Sequence, residues 1–160
     1  MTSPSVYAHR GFTLVELIVV MAVLGILATA SFPLAELMVQ RDRERELKRS
    51  LWEIRDAIDA YKRAAADGTV TVAAGASGYP PSLEQLVAGV TNPKDAGKLR
   101  YFLRRVPRDP FADRSAPAEK TWGLRSFDSP AERPRAGVDV YDVYSLSAKT
   151  GLNGTALREW

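Results

Sequence analysis

The apolar residues of this chain fall into two patterns. From Phe12 to Phe32 the sequence reads FTLVELIVVMAVLGILATASF, 21 residues with Glu16 as the only charge. At 1.5 Å per residue a helix of that length covers about 31 Å, one hydrocarbon thickness. A run this long without a polar face predicts a membrane span; a buried soluble helix is the alternative. Further on, Leu47, Leu51, Ile54, Ile58 and Tyr61 recur at steps of four and three, with Arg49, Glu53, Asp56 and Lys62 turned elsewhere. That spacing puts one apolar stripe on a helix. No Pro or Gly lies between Leu34 and Asp67, so the helix is expected to run on from the span and serve as spine for a globular head. A coiled-coil seam is the alternative use of such a stripe.

Beyond Asp67 the pattern breaks up. Eight of the ten prolines and nine of the eleven glycines lie in the last 93 residues, so long helices end here. GTVTVAAGASG from Gly68 reads as a loop or weak strand. Tyr79-Pro80-Pro81 leads into Ser82-Leu83-Glu84-Gln85-Leu86-Val87, a short helix with Ser82 as its cap and Gln85 three residues on. Leu99 to Val106 is mixed apolar and basic and is broken by Pro107 and Pro110. Asp113 to Ala136 is expected as an exposed loop around a short segment centred on Trp122. Val138, Val140 and Val143 with Tyr141 and Tyr144 form the best strand candidate, ending at Ser147.

Composition then narrows the chemistry. The chain has 160 residues, room for one sizeable core, and no cysteine. Disulfides, thiol nucleophiles and thiolate metal sites are therefore excluded. His9 is the only histidine, so a Ser-His-Asp triad or a zinc site of His/Cys type has no source once the N-terminal residues are removed. A formal charge of +3 is too small to argue for nucleic acid. A basic and aromatic cluster exists only at Arg100, Tyr101, Phe102, Arg104 and Arg105, where a structural strand or loop is the alternative. Asp139 and Asp142 are the carboxylate pair that acid–base chemistry would need, yet no nucleophile, base and oxyanion donors converge around them in the spacing.

Before the apolar run lies MTSPSVYAHRG. The junction GFTLVELIVVMAVLGILA, Gly11 to Ala28, resembles the class III leader of type IV pilins and type II secretion pseudopilins. The alternative is a conventional signal peptide cut near Ala30. The resemblance implies that a prepilin peptidase cuts between Gly11 and Phe12 and methylates the new amine of Phe12. It implies that Glu16 pairs with the N-terminal amine of a neighbouring subunit, and that Gly25 and Pro33 are helix-weakening positions inside a filament. Elementary physics is compatible with these roles. A carboxylate at mid-bilayer costs about 2.5–3.5 kcal/mol and normally finds a partner, and Glu16 lies only about 6 Å along a helix from Phe12. A methylated amine keeps its positive charge, and Pro33 removes a backbone donor. The alternatives are that Glu16 simply reaches the interface and that Pro33 is a plain kink.

The head has a similar likeness. Tyr79-Pro80, RRVPRDPF from Arg104 to Phe111, DVYSL from Asp142 to Leu146, and Trp160 occur in the order found in the major pseudopilin of type II secretion, although the stretch between Pro110 and Asp139 is longer than that family leads one to expect. The resemblance implies an α+β, pilin-like fold: a leader over 1–11, a transmembrane helix half over 12–35, an amphipathic half over 36–66, and a head with a small antiparallel sheet over 67–160. It implies a structural filament subunit, not an enzyme, for protein export. The alternative is a type IV pilin or minor pilin acting in adhesion, motility or DNA uptake, though adhesive pilins commonly carry a disulfide loop that this chain cannot make. Expected partners are other copies of the chain, minor pseudopilins, prepilin peptidase, an inner-membrane assembly platform and the membrane; nucleic acid is not expected. The expected location is the bacterial inner membrane, single-pass, with the head in the periplasm. The positive-inside count points the other way, with Arg10 before the span and Arg41, Arg43, Arg45, Lys48 and Arg49 after it; the leader motif is preferred over that count. Family members bind calcium in the C-terminal loop. Ser147 to Leu157 holds no acid here, with only Asp139, Asp142 and Glu159 nearby, so no cofactor is expected, calcium is the alternative, and no calcium ligands are assigned.

Overall fold

The computed structural model describes residues 11–160, with the side chains of residues 29–34 outside the description. The leader expected over 1–11 therefore falls outside the described residues except for Gly11. The chain divides into two compact units, the first ending at Val39 and the second comprising Gln40–Trp160. One helix, α1 (Leu14–Ala66), contributes to both. In the first unit every described side chain from Phe12 to Ala28 is exposed. Among the described residues no helix is long and apolar enough to cross a membrane. The expected span extends into the 29–34 stretch, whose side chains are not described.

The second unit is organised by the stripe read from the sequence. Leu47, Leu51, Ile54, Ile58 and Tyr61 are all buried, with Ala57 and Ala64 filling the same face. Small residues at 57 and 64 let other segments approach the helix closely. α1 stops where its chemistry dictates. Gly68 takes φ +69, Thr69 donates to the Ala64 carbonyl at 2.9 Å and Gly68 to that of Ala65 at 3.1 Å. This is a Schellman closure, which a glycine accommodates without Cβ strain.

Against the stripe lie short elements: α2 (Leu83–Ala88), β1 (Val90–Thr91), β2 (Leu99–Arg100), β3 (Trp122–Arg125) and β4 (Asp142–Ser145), with 3₁₀ turns at Ala118–Thr121 and Leu157–Glu159. β1 pairs with β2 and β3 with β4, both antiparallel. The second pair runs in register from Trp122 opposite Ser145 to Arg125 opposite Asp142. Leu83, Leu86, Leu103, Val106, Trp122, Val140, Val143 and Leu157 complete the core with α1. The class is α+β, as expected, but the sheet is two separate ribbons.

Three local expectations need correction. The strand foreseen over Val138–Ser147 is paired only over Asp142–Ser145. Val138 is 85% exposed, and the Val140 amide donates to the Pro80 carbonyl at 2.8 Å rather than to a strand. Ser82 does occupy the cap of α2, but its side chain makes no capping bond. The Glu84 carboxyl is held below its usual range, first by the neighbouring Ser82 side chain, while Gln85 Nε2 reaches forward to the Gly89 carbonyl. Trp122, expected inside an exposed loop, is buried and donates from Nε1 to the Pro107 carbonyl at 2.8 Å.

Within RRVPRDPF, Asp109 is fully buried. It accepts from Ser145 Oγ at 2.6 Å and from the Phe111 amide at 2.8 Å, tying the loop to β4. A buried carboxylate needs such donors, and removing it strands them.

Gly123 sits beneath the Tyr144 ring on the facing strand, so that a Cβ would come to 2.3 Å from ring carbons. Gly123→Ala should lower stability by about 1–3 kcal/mol, as overpacking of a fixed core does, in urea unfolding of the detergent-solubilised chain. A second expectation concerns pH. Burial raises the Tyr61 hydroxyl above its ordinary 10.0, so the unfolded chain ionises first. Its contribution is fully present below that ordinary value and lost as pH rises from it through the folded value. Urea midpoints should fall on alkaline titration past 10.0, and Tyr61→Phe should flatten that fall.

Candidate functional site: the start of the first helix

The residues expected to take part in processing and assembly lie at the start of α1. Gly11 and Phe12 precede the helix and are exposed, Phe12 at 79%. Thr13 makes the bonds that open the helix. Its carbonyl accepts from the Leu17 amide at 3.2 Å, and its Oγ1 accepts from the Glu16 amide at 3.2 Å. Thr13 is thus the N-cap, satisfying a donor that the first turn leaves unpaired. Sequence reasoning passed over this role, although Thr13-Leu14-Val15-Glu16 has the spacing of a capping box.

Glu16 is the acid of the first turn. A negative side chain there complements the partial positive charge of the helix start, so its position has a local reason. Around it Leu14, Val15, Leu17, Ile18, Val19, Val20 and Met21 are all exposed. A helix apolar on every side calls for lipid or other protein surface around it. The helix assignment continues through Gly25 and Pro33. A Cβ at Gly25 would meet nothing within 4 Å, and Pro33 has its side chain outside the described residues.

The other candidates are brought into the head's architecture. Asp139 receives the Ser77 hydroxyl and the Phe127 amide at 2.9 Å. Asp142 receives Arg55 Nε at 2.8 Å and its neighbour's amide at 2.8 Å. Each carboxylate thus answers to its own donors, and the pair expected as a catalytic alternative does not act as one unit. In the basic cluster Phe102 packs on Tyr61 with centroids 5.2 Å apart, Arg100 lies over the Phe102 ring, and Tyr101 alone is an exposed ring, at 60%. That is a head edge rather than a stacking platform for bases.

A groove of about 930 Å³ runs along the charged part of α1, lined by Asp42, Arg45, Glu46, Arg49 and Glu53 and, opposite, Arg105 and Arg108. Charges of both signs line one surface there, an arrangement that sets orientation more than affinity when two charged surfaces meet.

Residues 7–32 match the family model described as the prokaryotic N-terminal methylation motif, which covers the junction at Gly11 and Phe12, Glu16 and Gly25. The chain is also similar to the type II secretion system core protein G of Klebsiella michiganensis, at 32% identity over 111 residues, covering 65% of this chain and 69% of that one. The core protein G of Vibrio cholerae serotype O1 is 31% identical over 111 residues, covering 66% and 67%. That of Pectobacterium carotovorum subsp. carotovorum is 32% identical, covering 66% and 64%. No solved structure matches the chain. With the methylation motif lying across a capped, exposed apolar helix start, and identity at this level over two thirds of a relative, the chain belongs to the core protein G family of type II secretion, the family of the major pseudopilin.

Proposed function

We propose that this chain is the repeating structural subunit of a type II secretion pseudopilus, made as a precursor, cut between Gly11 and Phe12 by a prepilin peptidase, methylated on Phe12 and assembled into a helical filament for protein export. The observation that carries this reading is the first unit itself: an α-helix whose apolar side chains from Leu14 to Leu24 are exposed all round. Lipid satisfies that surface before assembly, and the same helices of other copies satisfy it in a filament. Exchange between two apolar environments costs little, which suits a subunit that must leave the membrane to be polymerised.

Glu16 then acts as the register device. In the membrane a carboxylate at this depth calls for a partner, and in the filament the Phe12 ammonium of a neighbouring copy supplies one. Pairing a lone buried charge is worth far more than adding one more apolar contact, so the pair dictates how far one subunit advances past the next. Gly25 and Pro33 weaken the helix between this device and the head. The subunit acts with other copies, minor pseudopilins and an inner-membrane assembly platform, and its role is mechanical, not enzymatic.

The head faces the periplasm in this reading. The bases that count against that orientation, Arg41 to Arg49, belong to the folded second unit. Arg45 pairs with Asp42 at 3.2 Å, and Lys48 stands 4.5 Å over the Trp160 ring. The charge rule applies to short loops and loses force for a domain of this size.

Intact mass and N-terminal sequencing of the chain from membranes of cells with a prepilin peptidase should give a start at Phe12 with one added methyl group. A start near Ser31, or an uncut chain, would defeat the proposal. In the same cells Glu16→Leu should still be cut at Gly11 yet leave sheared filament fractions, falling at least about tenfold, as loss of a buried charge partner implies. Filaments at the normal level would remove Glu16 from assembly.

A further inference from the structure

Family resemblance implies a calcium ion in the loop before the C-terminal tryptophan, and the donors present here do not fit one. Calcium takes six to eight oxygens, commonly several of them carboxylates. Residues 147–157 contain no acid. Several of their carbonyls and those beside them are already engaged: Gly151 donates to Thr155 O at 2.9 Å, Gly154 to Gly151 O at 2.9 Å, and Leu157 to Lys149 O at 3.0 Å. Asn153 Oδ1 receives the Thr155 amide. Asp139 is held by Ser77 and Phe127, and Glu159 is exposed. Among the described residues no three His, Cys, Asp or Glu side chains gather as a metal site.

A cation from the chain stands among the same kinds of oxygen. Arg55, on α1, donates from Nε to Asp142 Oδ1 at 2.8 Å. Its Nη2 donates to the Val143 carbonyl at 3.1 Å and to the Trp160 main-chain oxygen at 2.8 Å. One carboxylate and two main-chain oxygens, from β4 and from the last residue, therefore converge on one guanidinium. Arg125 adds a second, longer contact to Asp142, at 3.7 Å. The same line of α1 fastens the loop at further points. Glu44 Oε1 accepts the Leu152 amide at 2.8 Å, and Lys48 covers the Trp160 ring. Residues 44, 48, 51 and 55 follow at steps of four, three and four, one face of the helix.

We infer that Arg55 replaces a metal ion: its guanidinium is a built-in cation that closes residues 147–160 onto α1, and the head of this chain stays closed without calcium. A guanidinium keeps its charge at every physiological pH and cannot dissociate. A metal-held loop instead opens whenever the ion is withdrawn. Hydrogen bonds to a charged donor are about twice as strong as neutral ones, which lets three of them stand in for a coordination shell.

Hydrogen exchange of the full chain in detergent, followed by mass spectrometry, tests this on unassembled subunits, so the outcome does not depend on whether a filament forms. Amides over residues 147–157 should be equally protected in calcium and in chelator. Arg55→Met should speed their exchange by about tenfold or more in both solutions, with Ile54 and Ile58 still protected, and Arg55→Lys should fall between. The inference is overturned if chelator loosens the wild-type segment and calcium restores it, or if a folded Arg55→Met chain keeps its protection. Calorimetric titration of the wild-type chain with calcium decides the matter without any variant: no saturable binding is expected, and one-site binding that raises protection of 147–157 would sink the idea.

Discussion

The core of the head is built on the face of α1 that carries Leu47, Leu51, Ile54, Ile58 and Tyr61. The elements themselves are too short to stand alone: six residues of α2, two-residue strands in one ribbon and four-residue strands in the other. A two-stranded ribbon is marginal in water at best. Most of them gain stability from large side chains that join the core cluster with α1: Leu83 and Leu86 from α2, Trp122 from β3, Val143 from β4, Leu157 from the last turn. Fully burying a side chain of this size is worth about 1.5–3 kcal/mol, so the helix face supplies what local propensity lacks.

The same helix carries two kinds of surface. Past Gln40 it has an apolar stripe on one side and charges on the others, the arrangement of a helix beside water. Between Phe12 and Leu24 it has no polar side, and its apolar side chains stand exposed. The division of labour follows from that difference. One part is finished by its own fold; the other is left for an apolar environment, with Thr13 and Glu16 organising its first turn. A filament subunit needs both, since a head that unfolded on assembly and an anchor already satisfied within its own chain would each prevent polymerisation.

Polar side chains along α1 decide how the end of the chain is held. Glu44, Lys48 and Arg55 lie on one helix line and reach a loop amide, an aromatic ring and a trio of oxygens. Read in sequence, they are ordinary members of a charge-rich helix, alternating with acids that pair locally, as Asp42 does with Arg45. Their long-range partners lie far along the chain, from 87 residues away for Asp142 to the Trp160 ring that Lys48 covers. No local pattern joins positions so far apart.

What the sequence determined by itself was whatever depends on spacing along one element: the apolar run, the stripe at steps of four and three, and the end of the helix at Asp67 and Gly68. A helix brings residues together by periodicity, so a period can be read without coordinates. The tertiary structure decided the rest. Val138 lies outside the strand because the chain there bends to bond Pro80. Ser82 stands at the start of α2 without a side-chain capping bond, although its type and position are those of a cap. Asp109, Gly123 and Arg55 take their roles from residues on distant segments, and only the closing of the head onto α1 brings those segments within hydrogen-bond or van der Waals reach.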